Sequence, residues 1–296
     1  MKKFFIASVI LLGTITSVHA QTVIDPGQAY AVALNGSITD VKKLLHAGYD
    51  INQPYQCNTL LSGAIKSATH TETLPETFED SLRKVSLLLN NGADVNFNPC
   101  PDGGLLPLSW ALSLPAILEH EQEEALRSLD NQIANTADYC DYPHIVSKPC
   151  RYISANEKEK IVTAIKDEFE IKTKRLMPNL MRMIKLLVRR GAMINKADFN
   201  EQTALHYAAA MPADTAMEPL KYLLSKGANP VAKNAEGQTP LFFAQALNNQ
   251  AAVNLLMQYG SDATIQDSYG FMFNQSLTAT FRRIIDDKSI LLEIIY

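Results

Sequence analysis

A pair of apolar residues, two intervening positions, then a glycine: this pattern punctuates the chain five times. Leu44-Leu45 lead into Gly48-Tyr49-Asp50-Ile51-Asn52, Leu88-Leu89 into Gly92-Ala93-Asp94-Val95-Asn96, and Leu187-Val188 into Gly191-Ala192-Met193-Ile194-Asn195. It returns as Leu223-Leu224 before Gly227-Ala228-Asn229 and as Leu256-Met257 before Gly260-Ser261-Asp262. Upstream stands a second short pattern, Thr203-Ala204-Leu205-His206-Tyr207-Ala208 and Thr239-Pro240-Leu241-Phe242-Phe243-Ala244. More degenerate copies are Leu106-Pro107-Leu108-Ser109-Trp110-Ala111 and Thr59-Leu60-Leu61-Ser62-Gly63-Ala64. Thr239 to Gly260 is 21 residues and Gly227 to Gly260 is 33. A fixed period of that size predicts stacked helix pairs that share a core with their neighbours.

Local chemistry agrees. Threonine caps a helix start, Pro240 suits a first turn whose N–H would be unpaired anyway, and Ala208 and Ala244 allow close approach of paired helices. Each glycine follows the last apolar pair of a second helix, where a left-handed residue ends it at little cost.

Together the motifs resemble the ankyrin pattern T-P-L-H-x-A followed by LL-x-x-GAD-[VI]-N, over about residues 27 to 285. The resemblance implies an all-α ankyrin-repeat solenoid of helix-turn-helix repeats with β-hairpin fingers. Repeats are expected at about 27–56, 57–100, 101–199, 200–233 and 234–266, with a C-terminal cap at 267–296 whose apolar tail folds back on the last repeat. It also implies that His206 is structural, hydrogen-bonding near its helix start. Trp110, Tyr207 and Phe243 hold one equivalent position and are expected to pack between helices rather than form an exposed strip.

Two repeats are longer than the pattern. Thr59 to Gly92 is 33 residues, which places about twelve extra around Ser67 to Glu79. Leu106 to Gly191 is 85, which places about 64 extra in the third repeat, an insertion at about 114–177. Leu118, Ala125, Leu126, Leu129 and Ile133 form one helical stripe, and Ser154-x-x-Glu157 is a capping box before a second stripe of Ile161, Val162, Ile165 and Phe169. Two antiparallel helices follow, a helical-hairpin insertion, with Pro178 expected in the first turn of the repeat's own second helix. Tyr139, Cys140, Tyr142, His144, Cys150 and Tyr152 fall at its tip.

Residues 1–20 change the picture of location. Lys2 and Lys3, an apolar run from Phe4 to Leu12 and Val18-His19-Ala20 read as a signal peptide cleaved before Gln21, leaving an ankyrin domain of 21–296 and no membrane anchor. The apolar run is too short to span a bilayer. Periplasmic export is therefore expected, and the mature chain carries 25 basic against 31 acidic side chains. No basic cluster stands out in this reading, so nucleic acid is not an expected partner.

Four cysteines in an exported chain read as two disulfides, with three possible pairings. Cys140 with Cys150 is favoured for proximity in sequence, leaving Cys57 with Cys100. A metal site using Cys140 and His144 lacks ligand spacing, and no metal or cofactor is expected. There is no G-x-S-x-G elbow, no phosphate loop and no H-E-x-x-H, and His46, His70 and His120 stand singly, so no catalytic residue is assigned.

What remains is binding. The family's use of fingers and concave face points to Tyr55, Gln56, Phe97, Asn98, Phe199, Asn200, Lys233, Asn234, Glu236 and Tyr269 as partner contacts, with Tyr139, Tyr142, His144 and Tyr152 as a second group. Exported bacterial ankyrin proteins resemble immunity proteins in some toxin systems, which implies a protein partner, held by a chain monomeric on its own. The competing expectation, from similar exported ankyrin proteins, is a structural or oxidative-stress-protective role.

Overall fold

A computed structural model describes residues 24–69, 77–100, 103–140 and 153–273. Among these there are ten helices: α1 (Pro26–Asn35), α2 (Ile38–His46), α3 (Leu60–Lys66), α4 (Thr77–Asn90), α5 (Pro107–Cys140), α6 (Ala155–Arg189), α7 (Ala204–Ala209), α8 (Ala213–Ser225), α9 (Pro240–Ala246) and α10 (Gln250–Gln258).

The packing follows the period. Odd-numbered helices touch in the order α1, α3, α5, α7, α9, and even-numbered ones in the order α2, α4, α6, α8, α10; each odd helix also packs on the even helix that follows it. Helices of six or seven residues such as α7 and α9 cannot persist alone, so burial must hold them. All six residues of α7 are buried. One apolar cluster runs from Ala29 to Leu256 and includes the first-pair leucines Leu44, Leu88, Leu187, Leu223 and Leu256.

Starts and stops are chemically specified. Ser37 with Asp40, Thr59 with Ser62 and Ser154 with Glu157 each form a reciprocal capping box. Gly191 and Gly227 take φ of 93° and 85°, the left-handed turn that ends α6 and α8.

Asparagine at the end of the glycine motif joins one repeat to the next. The Nδ2 of Asn52, Asn96 and Asn195 donates to the carbonyls of Gly92, Gly191 and Gly227, while each Oδ1 accepts from the backbone N–H of Asp94, Met193 and Asn229. At the next joint that position is Val231, and the Ser261 hydroxyl donates to the Pro230 carbonyl at 3.1 Å instead.

Three expectations need correction. The fingers contain no strands among the described residues, only isolated pairings of Tyr55 with Asn58 and Gln266 with Met272. Their turns are closed by side chains: Oδ1 of Asp198, Asn234 and Asp267 each accepts two backbone N–H groups of its own loop, which leaves little room for a ladder. The insertion's two helices are not separate from the repeat's own, since α5 runs on from the stack to Cys140 and α6, starting at Ala155, runs on into the stack, for 34 and 35 residues. Pro178 consequently lies inside α6, and Pro115 inside α5. Both stand where shorter repeats end their first helix or begin their second, so they mark the seam between the repeat and the added length.

Candidate functional site: turn tips and a back groove

Four joints, three of them clasped by asparagine, place a row of turns along the stack, and two kinds of side chain occupy them. Some hold the turn. Asn234, 6% exposed, receives the N–H groups of Glu236 and Gln238 at 3.1 and 2.8 Å. Asn98 donates to the Gly104 carbonyl at 3.0 Å and accepts from the Cys100 N–H. Tyr55 is half-buried against Tyr30, ring centroids 5.9 Å apart. Phe97, Phe199, Asn200 and Glu236 are half-buried, and the carbonyls of Asn200 and Glu236 accept the N–H groups of Ala235 and Ser268 from the next turn. Others face solvent: Gln56, Lys233 and above all Tyr269, which is 64% exposed.

Sequence reasoning missed the exposed apolar companions of Tyr269, namely Met193, Val231 and Phe271. The signal was available. Met193 and Val231 interrupt motif positions held elsewhere by Asp and Asn, and an apolar residue replacing a turn-forming one is a departure without a folding reason.

Tyr139 and Cys140 end α5, but their side chains, together with Tyr142, His144, Cys150 and Tyr152, lie outside the described residues, as does the Cys140–Cys150 pairing. Cys57 and Cys100 are bonded, Cα atoms 5.1 Å apart, and clasp the turns before α3 and α5.

The buried polar groups serve the stack. His206 Nδ1 accepts the Thr203 N–H at 3.0 Å, so Nε2 carries the proton and donates to the Gln238 carbonyl of the next repeat at 3.1 Å. Burial holds this imidazole down to about 4, neutral at physiological pH. Tyr207 donates to Asp198, whose carboxyl burial pushes up against the hydrogen bonds it accepts. Trp110, Tyr207 and Phe243 are each less than a tenth exposed, so they pack and do not form a surface strip. The Lys66 ammonium lies 3.8 Å from the Trp110 ring centroid, its pKa lowered to about 8 by burial.

On the side of the second helices, α4 and α6 border an open groove of about 370 Å³. Arg182 crosses its edge in a fork to Glu79, at 2.7 and 3.2 Å, which raises the guanidinium and lowers the carboxyl pKa. Contrary to the expectation of no basic cluster, residues 171–197 hold eight lysines and arginines and no carboxylate. Among the described residues no three His, Cys, Asp or Glu side chains converge as metal ligands, and no helix is long and apolar enough to cross a membrane.

A family model of three ankyrin repeats matches residues 177–267. The ankyrin repeat protein FPV222 of fowlpox virus is 35% identical over 85 residues, covering 29% of this chain and 11% of that protein. The intracellular phospholipase A2 of Caenorhabditis elegans is 34% identical over 86 residues, 28% of this chain and 8% of the enzyme. The ankyrin repeat and LEM domain-containing protein 1 homolog of the same organism is 36% identical over 70 residues, 24% and 10% of the two chains. The chain thus spans about a tenth of the length of the curated relatives it matches. Residues 177–267 thus match ankyrin repeats, a module of protein–protein contact that is in general not catalytic, and the relatives' names assign no activity to the matched stretch.

Proposed function

We propose that this chain is a non-enzymatic periplasmic ankyrin solenoid, extended in its third repeat, that holds another protein and neutralises it in the manner of an immunity protein. The observation that carries the binding role is the set of exposed apolar side chains on successive turns. Met193 is 61% and Tyr269 64% exposed, and Val231 and Phe271 also reach solvent. The backbone N–H of each is held by a side-chain oxygen, Met193 by Asn96, Val231 by Asn229, and Tyr269 and Phe271 by Asp267, so little entropy is lost when a partner covers it. The periplasmic location rests on the signal-like residues 1–20.

The test is recovery of a stoichiometric partner from periplasmic extract with tagged full-length protein, repeated with Tyr269→Ala and Met193→Ala. The expected result is one partner, retained at least tenfold less well by the double variant, the effect of removing two interface anchors. A mature chain beginning at Gln21 in the periplasmic fraction supports the location. A deletion strain that becomes peroxide-sensitive and yields no dedicated partner favours the oxidant-defence role instead.

A further inference from the structure

Within the face formed by the second helices, the stack half of α6 carries charge opposite to that of the chain. The whole sequence has 27 lysines and arginines against 31 aspartates and glutamates, yet between Ile171 and Ala197 there are eight cations and no anion. At 100° per residue, Lys174, Arg175, Arg182, Lys185 and Arg189 fall within about a third of the α6 circumference. Across from them on α4 stands Arg83, exposed like Arg182 and Arg189. The groove between the two helices has Leu82 and Leu186 in its wall, and four cations line it against one carboxylate, Glu79.

Two contacts show how carboxylates sit here. Glu79 takes both arms of the Arg182 fork, and Glu218 from α8 approaches Lys185 at 3.5 Å. After these two pairings, the charges of Arg83 and Arg189 still exceed the carboxylates at the groove. Building on the reading of the chain as a protein binder, we propose that this groove docks an acidic segment of a partner protein, its carboxylates on Arg83 and Arg189 and an apolar side chain against Leu82 and Leu186. Charge complementarity selects the acid, and the apolar wall gives an alternating acidic and apolar peptide something that a bare polyanion lacks. A nucleic acid backbone would need a longer basic track, and here Glu79 and Glu218 interrupt it.

The test titrates full-length protein with a fluorescein-labelled peptide of alternating glutamate and leucine, read by anisotropy at low and physiological salt. Saturable, salt-sensitive binding is expected. It should weaken about tenfold or more in R83E/R189E, whose side chains are exposed, and change less than about twofold in K160E/K166E, which alters net charge equally but on the outer half of α6. No saturation, or equal weakening in both variants, overturns the groove. So does tighter capture of duplex DNA or phosphatidylserine vesicles that the same R83E/R189E change abolishes, because the site would then be one for phosphates. A partner recovered equally by wild type and R83E/R189E refutes the groove and leaves the binding function standing. Absence of any partner with wild type strikes the function, while the peptide titration still reads the groove.

Discussion

α7 and α9, six and seven residues long, are buried along nearly their whole length, whereas α5 and α6 run for 34 and 35 residues and bury themselves mainly at one end. From Leu176 to Leu187, α6 contributes Leu176, Leu180, Met181, Met183, Ile184 and Leu187 to the core; from Ala155 to Arg175 its only buried side chain is Phe169. The difference separates two ways of stabilising a helix. In the fourth and fifth repeats nearly everything comes from neighbours in the stack. In the extension beyond Leu118, the two long helices pack on each other with only Leu129 and Phe169 buried among the described side chains and an ion pair between Lys158 and Asp130 at 2.8 Å, so their own turns contribute more. The stack half of α6 is therefore the structural centre and the outer half an appendage.

That contrast breaks most visibly at Leu187. This side chain is fully buried between neighbouring repeats, and Leu187→Ala should cost about 3–4 kcal/mol through lost burial and an unfilled cavity. Ile161, 38% exposed on the outer half, should cost less than about 1 kcal/mol on the same truncation. Urea unfolding followed by circular dichroism measures both. Comparable losses would mean that the extension and the stack form one cooperative body and that the division drawn at Pro115 and Pro178 is wrong.

The joint between the fourth and fifth repeats should respond to acid. His206 is fully buried, with a pKa near 4 against about 6.5 in an unfolded chain. Between these values the unfolded chain takes up a proton that the folded one refuses. Stability is thus complete above about pH 6.5 and falls by roughly 3 kcal/mol as pH drops to about 4. His206→Gln should flatten that part of the profile even if it lowers the plateau. Hydrogen exchange at α7 and α9 should rise earlier on acidification than exchange in the outer half of α6, which His206 does not touch. An unchanged slope in the variant would assign the acid sensitivity elsewhere.

How much of this was legible beforehand depends on the kind of signal. Gly191, Gly227 and the apolar pairs before them gave the joints, because a helix ending in a left-handed residue leaves a local mark. The capping box at Ser154 was equally local. The continuity of α5 and α6 was not, since Pro178 reads as a helix start when only its own chemistry is weighed, and its place inside α6 is settled by what packs before and after it. Asn234 failed as a contact residue for a related reason. Asparagine in a turn can face a partner or close the turn, and only the hydrogen bonds from Glu236 and Gln238 decide between them. The basic face lay in plain view in the sequence, but clustering was sought within short runs, whereas a helix spreads one face over many residues.

The smallest effect compares the two threonines that open α7 and α9. The hydroxyl of Thr203 meets Nδ1 of His206 at 3.0 Å. In the next repeat the histidine position is Phe242, and the Thr239 hydroxyl, buried, has no hydrogen-bond partner among the described residues. A buried hydroxyl without a partner has already lost its water, so replacing it by a methyl of the same shape removes a penalty instead of a bond. Thr203→Val should therefore cost about 1 kcal/mol, while Thr239→Val should be neutral or stabilising by up to about 1 kcal/mol. Both keep the β-branched shape and the backbone geometry of the cap, which confines the difference to the hydroxyl. Thermal unfolding at neutral pH, where His206 is uncharged in both states, measures it. If Thr239→Val proved as costly as Thr203→Val, the Thr239 hydroxyl would have to have a bound water or other partner, and Phe242 would not have orphaned it.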